Sequence, residues 1–340
     1  MKRCIVFPFA AAALALMALL TGCKNVKTLL PSVSGKAGEI IVVMEKPDWE
    51  DSLGNDVREL LACDCPWLAQ KEPLYSLVNV VPSAFAELFK AHRNIFIFNV
   101  SPQIDSAGII YKHDVWAQPQ CVIQISAPNS ARAAGLLREK GPMILNSIEQ
   151  AERDRVIRNT RRYEETSIFK KVAAEFGGAP HFPTGYKIRK ISEGFAWIAD
   201  DKEGVYQDVF VYRYPVEDDP FTLDKIIAQR NAVVKDNVPG MIDGSYMTTS
   251  EFFPPTVEYL RYQGRDLAQT RGMWEVQNDF MGGPFVSHSF YSPDGSEIIV
   301  AEAWVYAPRF DKRQYLRQVE SLLYSWEWVS APAKVEKGEN

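Results

Sequence analysis

Histidine is scarce in this chain, with four among 340 residues. None sits in an H-E-x-x-H pair, so the common zinc-hydrolase geometry is excluded. No G-x-S-x-G elbow presents a serine nucleophile. Neither G-x-x-x-x-G-K-[ST] nor G-x-G-x-x-G occurs, which removes the two glycine-rich phosphate cradles. Gly177-Gly178 and Gly282-Gly283 stand just ahead of prolines and read as turns. No acidic loop matches a calcium-binding EF-hand. A basic surplus is also missing: 38 Lys and Arg face 43 Asp and Glu, a net charge of −5. General nucleic-acid binding therefore has no electrostatic footprint. Only one stretch, near residues 4–20, is apolar for long enough to suggest a membrane span, which argues against a multi-span protein. No cofactor, metal or nucleic-acid partner is expected.

What the chain does carry at its start is an address. Lys2 and Arg3 precede an apolar stretch from Ile5 to Leu20, followed by Leu20-Thr21-Gly22-Cys23. Such an arrangement is a secretory signal and lies outside the mature fold. The four residues ending at Cys23 resemble the lipobox of bacterial lipoproteins. The resemblance implies cleavage after residue 22 and a diacylglyceryl group on Cys23. Two acyl chains suffice for stable anchoring where one does not. Surface-exposed lipoproteins of the Bacteroidetes type often carry acids just after the cysteine. Here the residues are Lys24-Asn25-Val26-Lys27. The expectation is an outer-membrane anchor facing the periplasm.

Five cysteines are present. With Cys4 in the signal and Cys23 lipidated, Cys63, Cys65 and Cys121 remain. An envelope compartment permits disulfides, but three thiols cannot all pair internally. A bridge to Cys121 and three unpaired thiols are both compatible with the spacing. One residue between Cys63 and Cys65 does not fit the C-x-x-C redox or zinc patterns.

Hydrophobic periodicity divides the remainder. Residues 23–37 read as a lipidated tether. An N-terminal α+β domain is expected over 38–178. Its strands are 38–44, 75–81, 94–100, 109–116 and 121–126, with helices over 51–61 and from Ser83. Asn129 or Ser130 caps another helix, and a long charged helix follows from Gly141-Pro142 over 142–176. Arg153, Arg155, Arg158, Arg161 and Arg162 crowd its middle, with neighbouring Glu and Asp that read as a neutralised, solvated face. A C-terminal α+β domain follows over 179–330, with a frayed tail over 331–340. It is an antiparallel, meander-like sheet with an inserted helix from Pro220 and a closing amphipathic helix over 311–326. Its element order loosely resembles PsbP/Mog1-like domains, which are mostly binding or assembly modules.

The best local constellation lies on the hairpin 284–306. Its turn, Ser292-Pro293-Asp294-Gly295-Ser296, has Pro293 to set φ and Gly295 for the left-handed position. A register pairing His288 with Val300 sets Glu302 diagonally on the same face, beside Phe290 and Trp304. Such a pair can act as acid and base. Together with Trp274, the aromatics are candidates for a ligand mouth.

Over nearly its full length the chain resembles an uncharacterised lipoprotein family of Bacteroidetes-type bacteria. The residues that carry this are the lipobox, Gly38-Glu39-Ile40, His92-Arg93-Asn94-Ile95, and Trp304 through Lys312. The resemblance implies a location and supplies no activity. The reading is a lipid-anchored envelope protein that binds a partner protein or an apolar ligand between sheet and helix. The alternative is an envelope hydrolase using His288 and Glu302.

Overall fold

The computed structural model describes residues 29–329. The expected signal, Cys23 and the expected tail over 331–340 lie outside the described residues. Within them, α+β architecture is organised around two sheets that follow one another along the chain.

In the first half, β1 (Glu39–Val43), β2 (Ser76–Val80), β3 (Asn94–Val100), β4 (Gly108–His113) and β5 (Cys121–Ala127) form one sheet in the order β2-β1-β3-β5-β4. All its pairings are parallel except β4 with β5. Strands buried on both faces read as continuous apolar runs, and β1 shows why. Ile40 and Val42 face one core, while Ile41 and Val43 face another. Helices α1 (Lys46–Glu50) and α2 (Ser52–Leu61) follow β1. The continuous helix expected from Ser83 is instead a 3-10 turn over Pro82–Ala84 and a short α3 (Glu87–Lys90), and Ser83 caps neither. This broken segment seats Phe85 and Phe89 against the core containing Ile41 and Val43.

The charged helix also differs from expectation. Helix α4 runs over Ser130–Arg162, straight through Gly141-Pro142, and a separate α5 covers Thr166–Phe176. Its N-cap is Asn129, whose side chain accepts from the Arg132 N–H at 3.0 Å. Pro142 removes one helical hydrogen bond. Burial of Ala133, Leu137, Ile144 and Ile148 along one stripe in the first core outweighs that loss. The break at residues 163–165 is fixed from outside, because the Glu165 N–H donates to the Phe182 carbonyl at 2.8 Å. Beyond it, Ile168, Val172 and Phe176 belong to the core of the second sheet.

The second half begins with β6 (Gly178–Ala179), then β7 (Lys187–Ser192), β8 (Phe195–Ala199), β9 (Asp201–Lys202) and β10 (Val205–Pro215). After α6 (Leu223–Asn237) come β11 (Met247–Thr249), β12 (Thr256–Tyr262), β13 (Arg265–Val276), β14 (Gly282–Tyr291) and β15 (Glu297–Tyr306). The chain closes with α7 (Arg313–Leu323) and β16 (Glu327–Trp328). Strands β7 to β15 form a nine-stranded sheet in which every pairing is antiparallel, with main path β11-β13-β14-β15-β10-β8-β7, while β6 and β16 pair with each other apart from it. One face packs against α5 and α7, and the other against α6. The turn at 292–296 forms as read, with Gly295 at φ +73°.

One further expectation is revised and one open alternative is resolved. The tether over 23–37 is held from Pro31 onward: Gln118 N–H donates to the Pro31 carbonyl at 2.8 Å, and Ser34 N–H to that of Ala91 at 2.8 Å. Cys63, Cys65 and Cys121 are all free thiols. Cys121 is buried in β5, and burial pushes it and Cys65 up to about 11.

Candidate ligand cleft between the two halves

The His288–Glu302 pair does not form. Strand β15 is offset by one residue from the expected register, so His288 stands opposite Ala301 and Glu302 opposite Ser287. Alternation along a strand then sends the two side chains to opposite faces. His288 faces α7. Its Nε2 meets the Gln269 amide at 3.1 Å, and the Tyr324 ring lies edge-on at 4.5 Å. Burial and the nearby Arg271, Arg265 and Arg153 hold its pKa well below the ordinary value, so it is neutral. Glu302 lies under α6 and takes Arg230 Nε at 2.9 Å and Nη2 at 2.8 Å. Both partners are fully buried.

The aromatic candidates also separate. Trp274 and Trp304 meet edge to face at 5.0 Å on the α6 side, while Phe290 packs on the other face against Trp326 at 5.1 Å. All three are core residues. Between the sheet and α7, where an apolar ligand was expected, Leu316, Val319, Leu322 and Leu323 fill the space against Ile299, Ala301 and Ala303.

Open space lies instead between the halves, as a cleft of about 640 Å³. Helix α4 forms one wall. Glu152, Arg155, Asn159 and Arg162 recur every three or four residues and share one helical face, with Arg158 at its margin. Helix α7 supplies Gln314, Arg317 and Gln318. Val33, Arg93 and Pro119 close the first-half side, and Thr184, Tyr186 and Lys202 the second. Helix α7 is itself bound to the first half. The Glu72 carboxylate accepts from the backbone N–H groups of Lys312 at 2.7 Å and Arg313 at 2.9 Å, capping the helix start.

The electrostatics of this cleft are uneven. Its lining carries six cations, Arg93, Arg155, Arg158, Arg162, Lys202 and Arg317, against two carboxylates, Glu152 and Asp200. Both carboxylates are matched, Glu152 by Arg155 at 2.9 Å and Arg93 at 3.7 Å, and Asp200 by Lys202 at 2.7 Å. Arg155 is fully committed: it also donates to Asn94 Oδ1 and to the carbonyls of Pro119 and Arg93. Arg317 Nη2 donates to Glu149 at 2.9 Å and to the Leu74 carbonyl at 3.1 Å. Its guanidinium lies 4.6 Å from the Tyr75 ring centroid. Burial works against the Arg317 charge, and Glu149 more than restores it, raising its pKa above the ordinary value.

Sequence reasoning missed Arg93, Gln314 and Arg317: the last two share a face of α7 three residues apart, but no spacing in the sequence brings that face to Arg93 or to α4. The stripe Arg155-Arg158-Arg162 was visible. Its neutralisation holds for Arg155 and for Arg161, which meets Glu327 at 2.8 Å, but Arg158 and Arg162 have no carboxylate partner among the described residues.

Comparisons with known proteins follow the same division. A domain of unknown function (DUF8532) matches residues 33–161, and a second (DUF4837) matches residues 165–325. Their junction falls at the break between α4 and α5. No curated protein matches the chain. Among solved structures, a Bacteroides thetaiotaomicron protein is 10% identical over 45% of this chain, with a TM-score of 0.25. The match spans 45% of that protein's own length, less than half. The Saccharomyces cerevisiae Ran-binding protein Mog1p is 10% identical over 45% of this chain and 90% of its own, with a TM-score of 0.30. LpqN of Mycobacterium tuberculosis, described as involved in cell envelope biogenesis, is 12% identical over 43% and 79%, with a TM-score of 0.27. Among the described residues, no helix is long and apolar enough to cross a membrane.

Proposed function

We propose that this chain is a lipid-anchored binding protein of the bacterial cell envelope, tethered through Cys23 at an outer membrane and facing the periplasm. It holds its ligand in the cleft between its two halves and performs no chemistry on it. The observation that carries this reading is the cleft itself. Its volume of about 640 Å³ falls within the range of roughly 300–1,000 Å³ typical of small-molecule sites. Both halves wall it, and the anchor follows from Leu20-Thr21-Gly22-Cys23. The hydrolase alternative lacks its dyad, since His288 and Glu302 lie on opposite faces of the sheet.

Native mass spectrometry of the full chain, expressed in a bacterial host and released in mild detergent, tests both parts. The expected species begins at Cys23, carries the mass of a diacylglyceryl group, and holds a stoichiometric non-covalent adduct. Cys23→Ser is expected to leave the membrane fraction. An uncleaved, unlipidated chain overturns the anchor, and a bare mass in every preparation overturns the binding reading.

A further inference from the structure

Three N–H donors with no hydrogen-bond partner among the described residues belong to this one cleft: Gln314 Nε2, Arg317 Nη1 and Arg93 Nε, the last standing 3.7 Å from the Glu152 carboxylate. Unpaired buried polar atoms are uncommon in folded proteins, and each calls for an explanation. All three are donors, and two belong to guanidinium groups that stay charged at any physiological pH. Arg317 is held in place by Glu149, Leu74 and Tyr75, with its side chain only 10% exposed, so its free Nη1 has a fixed position. The missing side chain at Gly38 is what lets Gln314 and Arg317 pack there. A Cβ at Gly38, where φ is +69°, would lie 2.0 Å from Gln314 Nε2 and 2.8 Å from Arg317 Nη1. At the outer part of the same lining, Arg158 and Arg162 are exposed and lack carboxylate partners among the described residues. A protein of net charge −5 has thus gathered unneutralised cations and spare donors in one place.

From this juxtaposition we infer that the cleft takes an oxyanion-bearing ligand, with phosphate or carboxylate oxygens received by Arg317, Gln314 and Arg93 and a second acidic group met by Arg158 and Arg162. Planar guanidinium forks match both anions. This rests on the cleft being the binding site, as proposed above, and adds the chemistry of what enters it. Pyrophosphate and citrate present the two kinds of acidic oxygen without a lipid tail. Anionic phosphatidylglycerol vesicles present phosphate on a surface.

Titration calorimetry of the full chain in detergent, at low salt, is the test. Pyrophosphate or citrate is expected to bind, with affinity falling at least tenfold in Arg317→Met and in the Arg158→Ser/Arg162→Ser double variant. Salt is expected to weaken binding, as the Debye length shrinks from about 10 Å at 0.1 M to about 3 Å at 1 M. The double variant changes only exposed side chains and keeps the test valid if Arg317→Met fails to fold. Binding of pyrophosphate alone assigns a phosphate ligand, and binding of citrate alone a carboxylate. Vesicle binding that both arginine variants abolish, without either soluble probe, assigns a lipid headgroup. If no probe binds, the oxyanion assignment falls. An adduct that survives in the arginine variants under those conditions leaves the cleft as a site for an uncharged ligand, and a bare mass removes both readings. Binding unchanged in both variants overturns the placement.

Discussion

Two arginine–carboxylate pairs use the same groups, yet they are finished differently. Under α6, Arg230 meets Glu302 through Nε and Nη2, gives Nη1 to Thr249 at 2.9 Å, and covers the Phe285 ring at 4.0 Å. Every nitrogen of that guanidinium has a partner, and both side chains are fully buried. In the cleft, Arg317 meets Glu149 through Nη2 alone, and Nη1 has no partner. The difference separates a sealed pair, which fixes how helix and sheet fit, from a charge positioned and then left partly available. A buried ion pair taken alone says little about function; the unused donor is the informative atom.

The largest effect should come from opening the sealed pair. Arg230→Met leaves Glu302 buried and alone, and should cost about 3–5 kcal/mol in urea unfolding. Arg230→Met/Glu302→Leu should recover most of that loss, because an apolar pair removes the stranded charge. Arg317→Met is expected to cost less, about 2 kcal/mol, since charge-assisted hydrogen bonds are worth roughly 1.5–3. It should also weaken probe binding at least tenfold, which Arg230→Met/Glu302→Leu leaves intact.

Another buried carboxylate, Asp208, lacks an arginine ion-pair partner among the described residues. Asp208 Oδ2 accepts from Trp197 Nε1 at 2.7 Å, Oδ1 has no partner, and burial pushes its pKa from 3.8 up to about 7. Its folded pKa is raised, so the folded chain keeps this proton between pH 3.8 and 7 while the unfolded chain releases it. Stability therefore falls as pH rises across that window. Asp208→Asn should stabilise the protein at pH 8 by on the order of 1–2 kcal/mol, and not at pH 4, as measured by urea unfolding at each pH. The smallest change belongs to Arg158→Ser, which should move stability by less than about 0.5 kcal/mol. Its effect should appear only as several-fold weaker probe binding in calorimetry.

The strand pattern of both halves was legible because alternation and apolar runs follow directly from burial. Glu39–Val43, Asn94–Val100 and the hairpin turn at Gly295 form where the sequence places them. Helix continuity was less legible. A shared core stripe carries α4 through Pro142, and a hydrogen bond from Glu165 to the distant Phe182 ends the helical run. Neither partner is local. The catalytic candidate failed by one residue of register, which is enough to reverse a side chain's face. The cleft could not be read from spacing, since Arg93, Arg158 and Arg317 meet only through packing of α4 and α7. The arginine stripe on α4 was visible, but which members would find carboxylates was decided by tertiary contacts.

The most direct test is backbone hydrogen exchange of the full chain with and without saturating pyrophosphate. The account predicts slower exchange in residues 153–162 of α4 and in α7, with β14 and β15 unchanged. Protection confined to residues 284–306, or no protection despite measured binding, would contradict it and move the site away from the cleft.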